Sequence, residues 1–145
     1  MKNQLTYTGP RCDQAVDIAI FNSDGSQILL GKRDYQPFFR FIGGFSSVES
    51  DSLEEDAVRE VEEETQLIVE NPKYVGSRKV DDPRYHGSIH RVKTCMFVTY
   101  GFKGTPKADD DIDEVRWFDI SEFKIMTLMP EHAKLREILF NKGII

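Results

Sequence analysis

Three glutamates in one short segment have the type and spacing to bind a divalent cation. Glu60, Glu63 and Glu64 stand at i, i+3 and i+4, so on a helix their carboxylates lie within one turn of each other. Three like charges there destabilise the helix unless a cation compensates them. Carboxylate oxygens are the ligands that Mg²⁺ and Mn²⁺ prefer, and Arg59 can pair with one carboxylate and fix its orientation. On spacing alone, a solvated acidic helix surface explains the pattern equally well.

The negative charge of the chain is concentrated in this same segment. The net charge of the 145 residues is −6. Residues 52–65 hold one base, Arg59, and seven acids, which account for the whole excess: Glu54, Glu55, Asp56, Glu60, Glu62, Glu63 and Glu64. The remainder is balanced and lacks the basic clustering of nucleic-acid-binding proteins. We therefore expect no nucleic-acid partner.

Composition and hydropathy predict one globular domain spanning residues 1–145. Hydrophobic residues make up 39% and charged residues 30% of the chain, as in ordinary globular proteins. No apolar run approaches the roughly 20 residues needed to cross a bilayer. The N-terminus lacks the apolar stretch of a secretion signal. We expect a cytoplasmic protein without a membrane partner.

The acidic segment has the features of a helix over residues 52–67. Ser52 and Glu55 have the spacing of a capping box. Leu53, Ala57 and Val61 recur at i, i+4 and i+8 and form an apolar stripe. We expect this stripe to face a core on the side of the helix opposite to the three glutamates.

Alternating and β-branched residues predict five strands around this helix, and a second helix begins at Pro130. The expected strands are Cys12–Phe21, Gln27–Lys32, 74–80, 92–102 and 115–120. The pair Gly43-Gly44 marks a place where the backbone bends freely or lies close to another group. Strands interleaved with two helices predict an α/β (α+β) fold with layered α/β/α architecture.

The segment resembles the Nudix box over residues 43–65. The matching parts are Gly43-Gly44-Phe45, Leu53-Glu54-Glu55 and the run Arg-Glu-Val-Glu-Glu-Glu-Thr that begins at Arg59. The core of the box is Arg-Glu, an apolar residue, any residue, then Glu-Glu. The resemblance implies an α/β/α sandwich with a mixed central sheet and a loop-helix-loop motif. It also implies that Glu60, Glu63 and Glu64 bind Mg²⁺ (or Mn²⁺), with a backbone carbonyl near Gly43 or Gly44 completing the coordination sphere.

Two positions depart from the box. Asp51 stands where the family has a glutamate, and six residues rather than five separate it from Gly44. Gln66 replaces the closing glycine, whose left-handed backbone a glutamine adopts only with strain. Neither change removes one of the three glutamates.

Hydrolysis of a pyrophosphate also needs a general base. Metal ions at these carboxylates would neutralise phosphate charge and help to deprotonate a water, while Arg59, Glu60 and Glu63 are the expected catalytic residues. Glu63, or a carboxylate from another loop, is the candidate base. Asp110 and Asp111 belong to an acidic loop that supplies such candidates, although exposed acid runs are usually just solvated.

Looser similarities point to the substrate. Pro37-Phe38, the run Val-Asp-Asp-Pro-Arg ending at Arg84, and residues 108–117 are similar to segments of Nudix domains associated with ADP-ribose. Aromatic residues could form an adenine slot, although the alternative is that most of them belong to the core. Arg84, Arg91 and Lys93 could meet phosphate or ribose oxygens, or be simply exposed. The candidates for the adenine slot are Tyr35, Phe38, Phe39 and Phe41.

The expected activity is metal-dependent hydrolysis of ADP-ribose to AMP and ribose 5-phosphate. The alternatives are other nucleotide substrates (FAD, NADH, diadenosine polyphosphates, nucleotide sugars) and a non-catalytic ADP-ribose-binding module. The three histidines lack the spacing of metal ligands. By analogy with the relatives that the chain resembles, a homodimer is expected.

Overall fold

A six-stranded mixed sheet forms the centre of the computed structural model, which describes residues 7–145. The strand order is β4-β5-β1-β2-β6, and β3 pairs with the middle of β1. β1 and β5 run parallel, and the other neighbours are antiparallel. The strands are β1 (Cys12–Phe21), β2 (Gln27–Lys32), β3 (Ile42–Phe45), β4 (Lys73–Lys79), β5 (Arg91–Tyr100) and β6 (Glu114–Asp119). The fold class predicted from the sequence is confirmed.

Three helices cover the two faces of the sheet: α1 (Leu53–Thr65), α2 (Ile120–Phe123) and α3 (Pro130–Asn141). Alternate residues of β1 point to opposite faces. Val16 and Ile18 pack with Val61 of α1, whereas Ala19 and Phe21 belong to a second core with α2 and α3. Two cores on either side of one sheet give the expected α/β/α layers. Within residues 7–145 no helix is long and apolar enough to cross a membrane.

Helix α1 begins and ends through side-chain contacts. The Ser52 hydroxyl accepts the backbone N–H of Glu55 at 3.1 Å, as the capping motif predicts. Glu55 reaches back to the amide of Asp51 at 2.8 Å, one residue earlier than in a capping box. At the other end Gln66 adopts left-handed backbone, with φ 61°. Its side-chain amide donates to Asp109 at 3.1 Å, which ties the strained cap to the acidic loop.

Three elements were missed or misread in the sequence, among them a short 3₁₀ helix at Pro83–Tyr85 in the loop before β5. Gly43 and Gly44 lie within the short strand β3 and do not form a bend. Helix α2 is only four residues long, too short for a periodic pattern to reveal it. The other predicted boundaries differ from the structure by one or two residues, as helix and strand ends usually do.

The expectation that the apolar stripe lies opposite the glutamates is wrong. Ala57 and Val61 are fully buried, and Glu60 and Glu64 are also buried, at 8% and 3% exposure. Steps of about 100° per residue place these four side chains on one face of the helix. The helix therefore directs two carboxylates toward the sheet, alongside the core.

Candidate active site

The glycine pair of β3 makes room for two carboxylates, one on each side of the sheet. A Cβ at Gly44 would lie 2.5 Å from Oε1 of Glu60, which approaches from α1. A Cβ at Gly43 would lie 2.6 Å from Oδ1 of Asp17, on the α3 side, and even closer to the Val16 carbonyl oxygen. Any side chain at either position would occupy space that a carboxylate now fills. The glycines are therefore needed for close approach, as the sequence indicated.

Glu64 lies beside the same strand. Its Oε1 accepts the backbone N–H of Gly43 at 3.0 Å, so a β3 amide fixes the carboxylate. Burial raises the pKa of Glu64 to about 8, and burial also raises the pKa of Glu60. Both shifts arise because water, which would stabilise the ionised form, is largely excluded. Two buried acids side by side would be stabilised by a cation.

Arg59 organises the acidic face of α1. Its guanidinium lies 3.0 Å from Asp56, 3.0 Å from Glu60 and 3.3 Å from Glu63. It also donates to the carbonyl oxygen of Phe45 at 3.2 Å, which links the helix to the end of β3. The sequence predicted one partner for Arg59, and the structure gives it three.

The donor set fits a hard divalent cation. Glu60 and Glu64 offer buried carboxylate oxygens beside the Gly44 backbone, and such oxygens are the ligands that Mg²⁺ and Mn²⁺ prefer. The side chain of Glu63 is 44% exposed and turned to Arg59. Among residues 7–145 no three acid, histidine or cysteine side chains already converge. Glu63 would therefore have to leave Arg59 to join the other two.

A cavity of about 330 Å³ lies on the α3 side of the sheet, and Gly44 and Phe45 of β3 line it. Arg33, Arg40 and Arg84 contribute guanidinium groups to its walls, beside the acids Asp17, Asp82 and Glu131. Arginine suits phosphate oxygens because its planar fork donates two parallel hydrogen bonds. The cavity therefore offers phosphate-binding groups at the strand against which Glu60 and Glu64 pack from the other face.

Buried polar residues line the part of the cavity that we call its closed end. Asp17 and His132 line the cavity and are 6% and 3% exposed. Oδ2 of Asp17 accepts the hydroxyl of Thr94 at 2.6 Å, and Oδ1 lies 3.8 Å from Nδ1 of His132. Burial raises the pKa of Asp17 to about 7 and holds the pKa of His132 well below its usual value. The imidazole is therefore neutral, and the pair is not a strong ion pair.

Comparison with known proteins decides the family. The NUDIX domain family model matches residues 13–139, most of the chain. The chain belongs to the Nudix family of pyrophosphohydrolases. An ADP-ribose pyrophosphatase from Methanocaldococcus jannaschii is 34% identical over 140 residues, which cover 93% of this chain and 76% of that protein. Nudix hydrolases generally use divalent metal ions.

Solved structures share the Nudix fold. The Nudix domain of Shewanella oneidensis NrtR, solved in complex with ADP ribose, superposes with a TM-score of 0.73 at 18% identity. The match covers 95% of this chain and 90% of that domain. The Escherichia coli ORF135 protein gives a TM-score of 0.75 at 22% identity and 92% coverage of both chains. At these identities the likeness establishes the fold.

Within this Nudix domain, two of the predicted substrate-binding residues line the cavity. Tyr35 lies at its rim with 78% exposure, and the Tyr35 hydroxyl accepts a hydrogen bond from Arg33. Arg84 also lines the cavity, but its guanidinium already pairs with Asp82 at 2.6 Å and stacks over Phe45 at 4.7 Å. The Arg84 donors that face Asp82 are therefore already used. Arg33 and Arg40, the other two arginines of the cavity wall, are better placed to bind phosphate.

Three other predicted residues lie elsewhere. Phe41 is fully buried in the core against Phe123 and has no surface with which to contact a ligand. Its aromatic side chain serves packing, and Phe39 is likewise a core residue. Phe38 is 37% exposed and lies outside the cavity lining. Arg91 lines a neighbouring cavity and donates to two carbonyl oxygens of its own loop.

The acidic residues outside the helix differ in position. Asp110, at φ 52°, is near enough to raise the pKa of Glu60 by charge repulsion. Asp111 is exposed in the same loop, and Asp51 is exposed at the start of α1. Of these three, Asp110 is the one whose charge is among the causes that raise the pKa of Glu60.

Sequence reasoning missed Asp17, His132, Arg33 and Arg40 as site residues. One signal was available: Asp17 interrupts the apolar run Ala-Val-Asp-Ile-Ala-Ile of β1, and an acid in a buried strand needs a partner or a function. His132 and the two arginines gave no comparable signal, because only the fold brings α3 and the segment after β2 to the same cavity.

Proposed function

We propose that this Nudix pyrophosphohydrolase hydrolyses ADP-ribose to AMP and ribose 5-phosphate with Mg²⁺ as its metal ion and Mn²⁺ as a substitute. The observation that carries the proposal is the placement of buried Glu60 and Glu64 at Gly43-Gly44, in the strand whose Gly44 and Phe45 line a cavity that also holds three arginines. The 34% identical relative, an ADP-ribose pyrophosphatase, supports the choice of substrate.

The chain's own residues have separable roles in this reaction. Glu60 and Glu64 would hold the metal ion, whose chemistry when bound is to neutralise the diphosphate and lower the pKa of water. Arg59 keeps Glu60 in position through the 3.0 Å contact. Arg33 and Arg40, on the cavity wall, would bind the phosphate oxygens.

Glu63 is the proposed general base. Its carboxylate is half-exposed and is held by Arg59 through a 3.3 Å contact, so it can reach a water without losing a buried hydrogen bond. In the reaction, one P–O bond to the bridging oxygen breaks and a P–O bond to the water oxygen forms. Glu63 takes a proton from the water.

A substrate panel tests the proposal. Purified protein with Mg²⁺ would be incubated with ADP-ribose, FAD, NADH, diadenosine polyphosphates and nucleotide sugars, and products identified by mass spectrometry. We expect ADP-ribose to have the highest kcat/KM. Reaction in ¹⁸O-labelled water then shows from the labelled product, AMP or ribose 5-phosphate, which phosphorus is attacked.

One variant tests the role of Glu63 in the same assay, and a second variant is its matched control. Glu63→Gln should lose most of its turnover, whereas Glu62→Gln should not, because Glu62 is not among the carboxylates that Arg59 holds. A strong preference for a guanine or pyrimidine nucleotide would disprove the substrate assignment. Calorimetry that shows ADP-ribose bound but not consumed would identify a binding module instead of an enzyme.

A further inference from the structure

The closed end of the cavity carries polar groups that the hydrolytic chemistry does not use. Oδ1 of Asp17 has no hydrogen-bond donor among the described residues, since Thr94 occupies Oδ2. His132 accepts the N–H of Phe41 on Nδ1 at 3.3 Å, so a neutral imidazole carries its proton on Nε2. Within the described part of the chain, nothing accepts that proton. The closed end thus presents one acceptor and one donor.

Two further cavity residues have unpaired polar atoms. Nε of Arg33 and Oε1 of Gln36 are buried without a hydrogen-bond partner within residues 7–145, and both residues line the same cavity. Buried polar groups are usually hydrogen-bonded, and each one left unpaired costs free energy. A ligand in the cavity could supply the partners that Oδ1 of Asp17 and Nε2 of His132 lack, whereas the two buried atoms of Arg33 and Gln36 have almost no accessible surface for it to contact.

The mixture of donors and acceptors identifies the chemistry of that ligand. A hydroxyl both donates and accepts, so a vicinal diol can satisfy Asp17 and His132 together. A purine base prefers an apolar or aromatic slot, whereas most side chains that line this cavity are charged or polar. The closed end is therefore better suited to a sugar than to a base.

We propose that Asp17 and His132 determine specificity by binding the vicinal hydroxyls of a ribose in the substrate. This inference rests on the proposed function, because ADP-ribose contains two such sugars, the terminal ribose and the ribose of adenosine. Asp17 accepts a hydrogen bond from one hydroxyl, and His132 donates one to the next.

Selectivity between substrates with and without these hydroxyls tests the proposal. One analogue of ADP-ribose has a hydroxyl-free tetrahydrofuran ring in place of the terminal ribose, and the other has 2′,3′-dideoxyadenosine. Wild-type kcat/KM should fall about 100-fold on one of them, because two buried groups lose their partners. The analogue that is rejected shows which ribose is bound at the closed end.

Two variants should reduce this selectivity. Asp17→Ala removes the acceptor. His132→Asn keeps an acceptor for the Phe41 amide but removes the Nε2 donor. Each variant keeps the other contact, so in both the preference for ADP-ribose should shrink to about tenfold. Glu137→Gln, an exposed carboxylate on the same helix and outside the cavity, is the matched control and should keep the wild-type preference.

Either of two results overturns the inference: wild-type enzyme that hydrolyses both analogues as fast as ADP-ribose, or variants that keep the wild-type preference even if their melting temperatures fall. If Asp17→Ala does not fold, His132→Asn decides. If the wild type leaves ADP-ribose intact, the proposed function fails. The inference is then tested separately, by comparing the ribose and dideoxy forms of whichever nucleotide the panel shows to be hydrolysed or bound.

Discussion

Gly44→Ala should separate catalysis from folding in this protein. The new methyl group would lie 2.5 Å from Oε1 and 2.7 Å from Cδ of Glu60. Gly44 has no positive φ, so alanine fits its backbone without strain. The group that must move is the end of a flexible side chain, and the sheet can remain as it is. We therefore expect a folded protein in which Glu60 is displaced.

The size of the effect follows from these distances. Ordinary contacts of a Cβ begin near 3.4 Å, so the Glu60 carboxylate must shift by about 1 Å. A displacement of that size in a catalytic group can cost roughly 100-fold in rate, or about 2.7 kcal/mol of transition-state stabilisation. Stability should change little, because a glycine-to-alanine change at a compatible position stabilises by about 0.4–1 kcal/mol and offsets the local crowding.

The assay compares kcat/KM for ADP-ribose with thermal unfolding. Gly43→Ala is the contrasting variant, because its Cβ would meet the Val16 carbonyl oxygen at 2.2 Å and so disturb the pairing of β3 with β1. It should lower the melting temperature and reduce the free energy of unfolding by about 1–3 kcal/mol or more. Gly44→Ala added to Glu60→Gln should cost nothing further if the methyl acts through that carboxylate. Wild-type kcat/KM in Gly44→Ala would refute the assignment of Glu60 as a metal ligand.

Three further predictions concern the carboxylates and the cap of α1. Glu64→Gln should lose most of its turnover but remain folded, because an amide oxygen can still accept the Gly43 N–H; unchanged turnover would exclude Glu64 as a ligand. Millimolar Mg²⁺ should raise the melting temperature of the wild type over that in EDTA, and this gain should be smaller in Glu64→Gln; equal gains would place the metal elsewhere. Gln66→Gly should be more stable than Gln66→Ala by about 1 kcal/mol in urea unfolding, since only glycine adopts φ 61° without a Cβ penalty; equal stability would show that the cap is unstrained.

The sequence predicted those parts of the site that lie close together in the chain. Spacing alone placed Glu60, Glu63 and Glu64 on one helical turn, and the resemblance to the Nudix box added Gly44. Both depend on short-range geometry, which the 3.6-residue period determines. Five of the six strands followed in the same way from alternation and turn residues, and so did the fold class.

The orientation of the helix did not follow from its pattern. Hydrophobic periodicity assigns charged residues to the solvent side, yet Glu60 and Glu64 are buried beside Val61. The reason lies outside the helix, in β3, where two glycines leave space against the sheet and Gly43 offers an N–H to Glu64. The sequence pattern of one element gives no information about the surface against which that element packs.

Aromatic residues were misread for a related reason. Phe38, Phe39 and Phe41 lie close together in one segment, and composition does not say which of them meets a ligand. The core takes Phe39 and Phe41, while Tyr35, four residues before Phe39, reaches the cavity. Packing decides such assignments, and it depends on α2 and α3, which come much later in the chain.

The close approach of carboxylates to β3 at Gly43-Gly44 connects the proposed metal site with the proposed sugar-binding site. Glu60 approaches it from the α1 layer and Asp17 from the α3 layer, and repulsion from Glu60 is among the causes that raise the pKa of Asp17. A side chain at either glycine would separate these carboxylates from β3. The same two residues therefore set the position of the proposed metal ligands and of the proposed sugar-binding group. Substitutions in β3 should consequently alter both substrate selectivity and metal binding, although the side chains responsible for the two properties lie on opposite faces of the sheet.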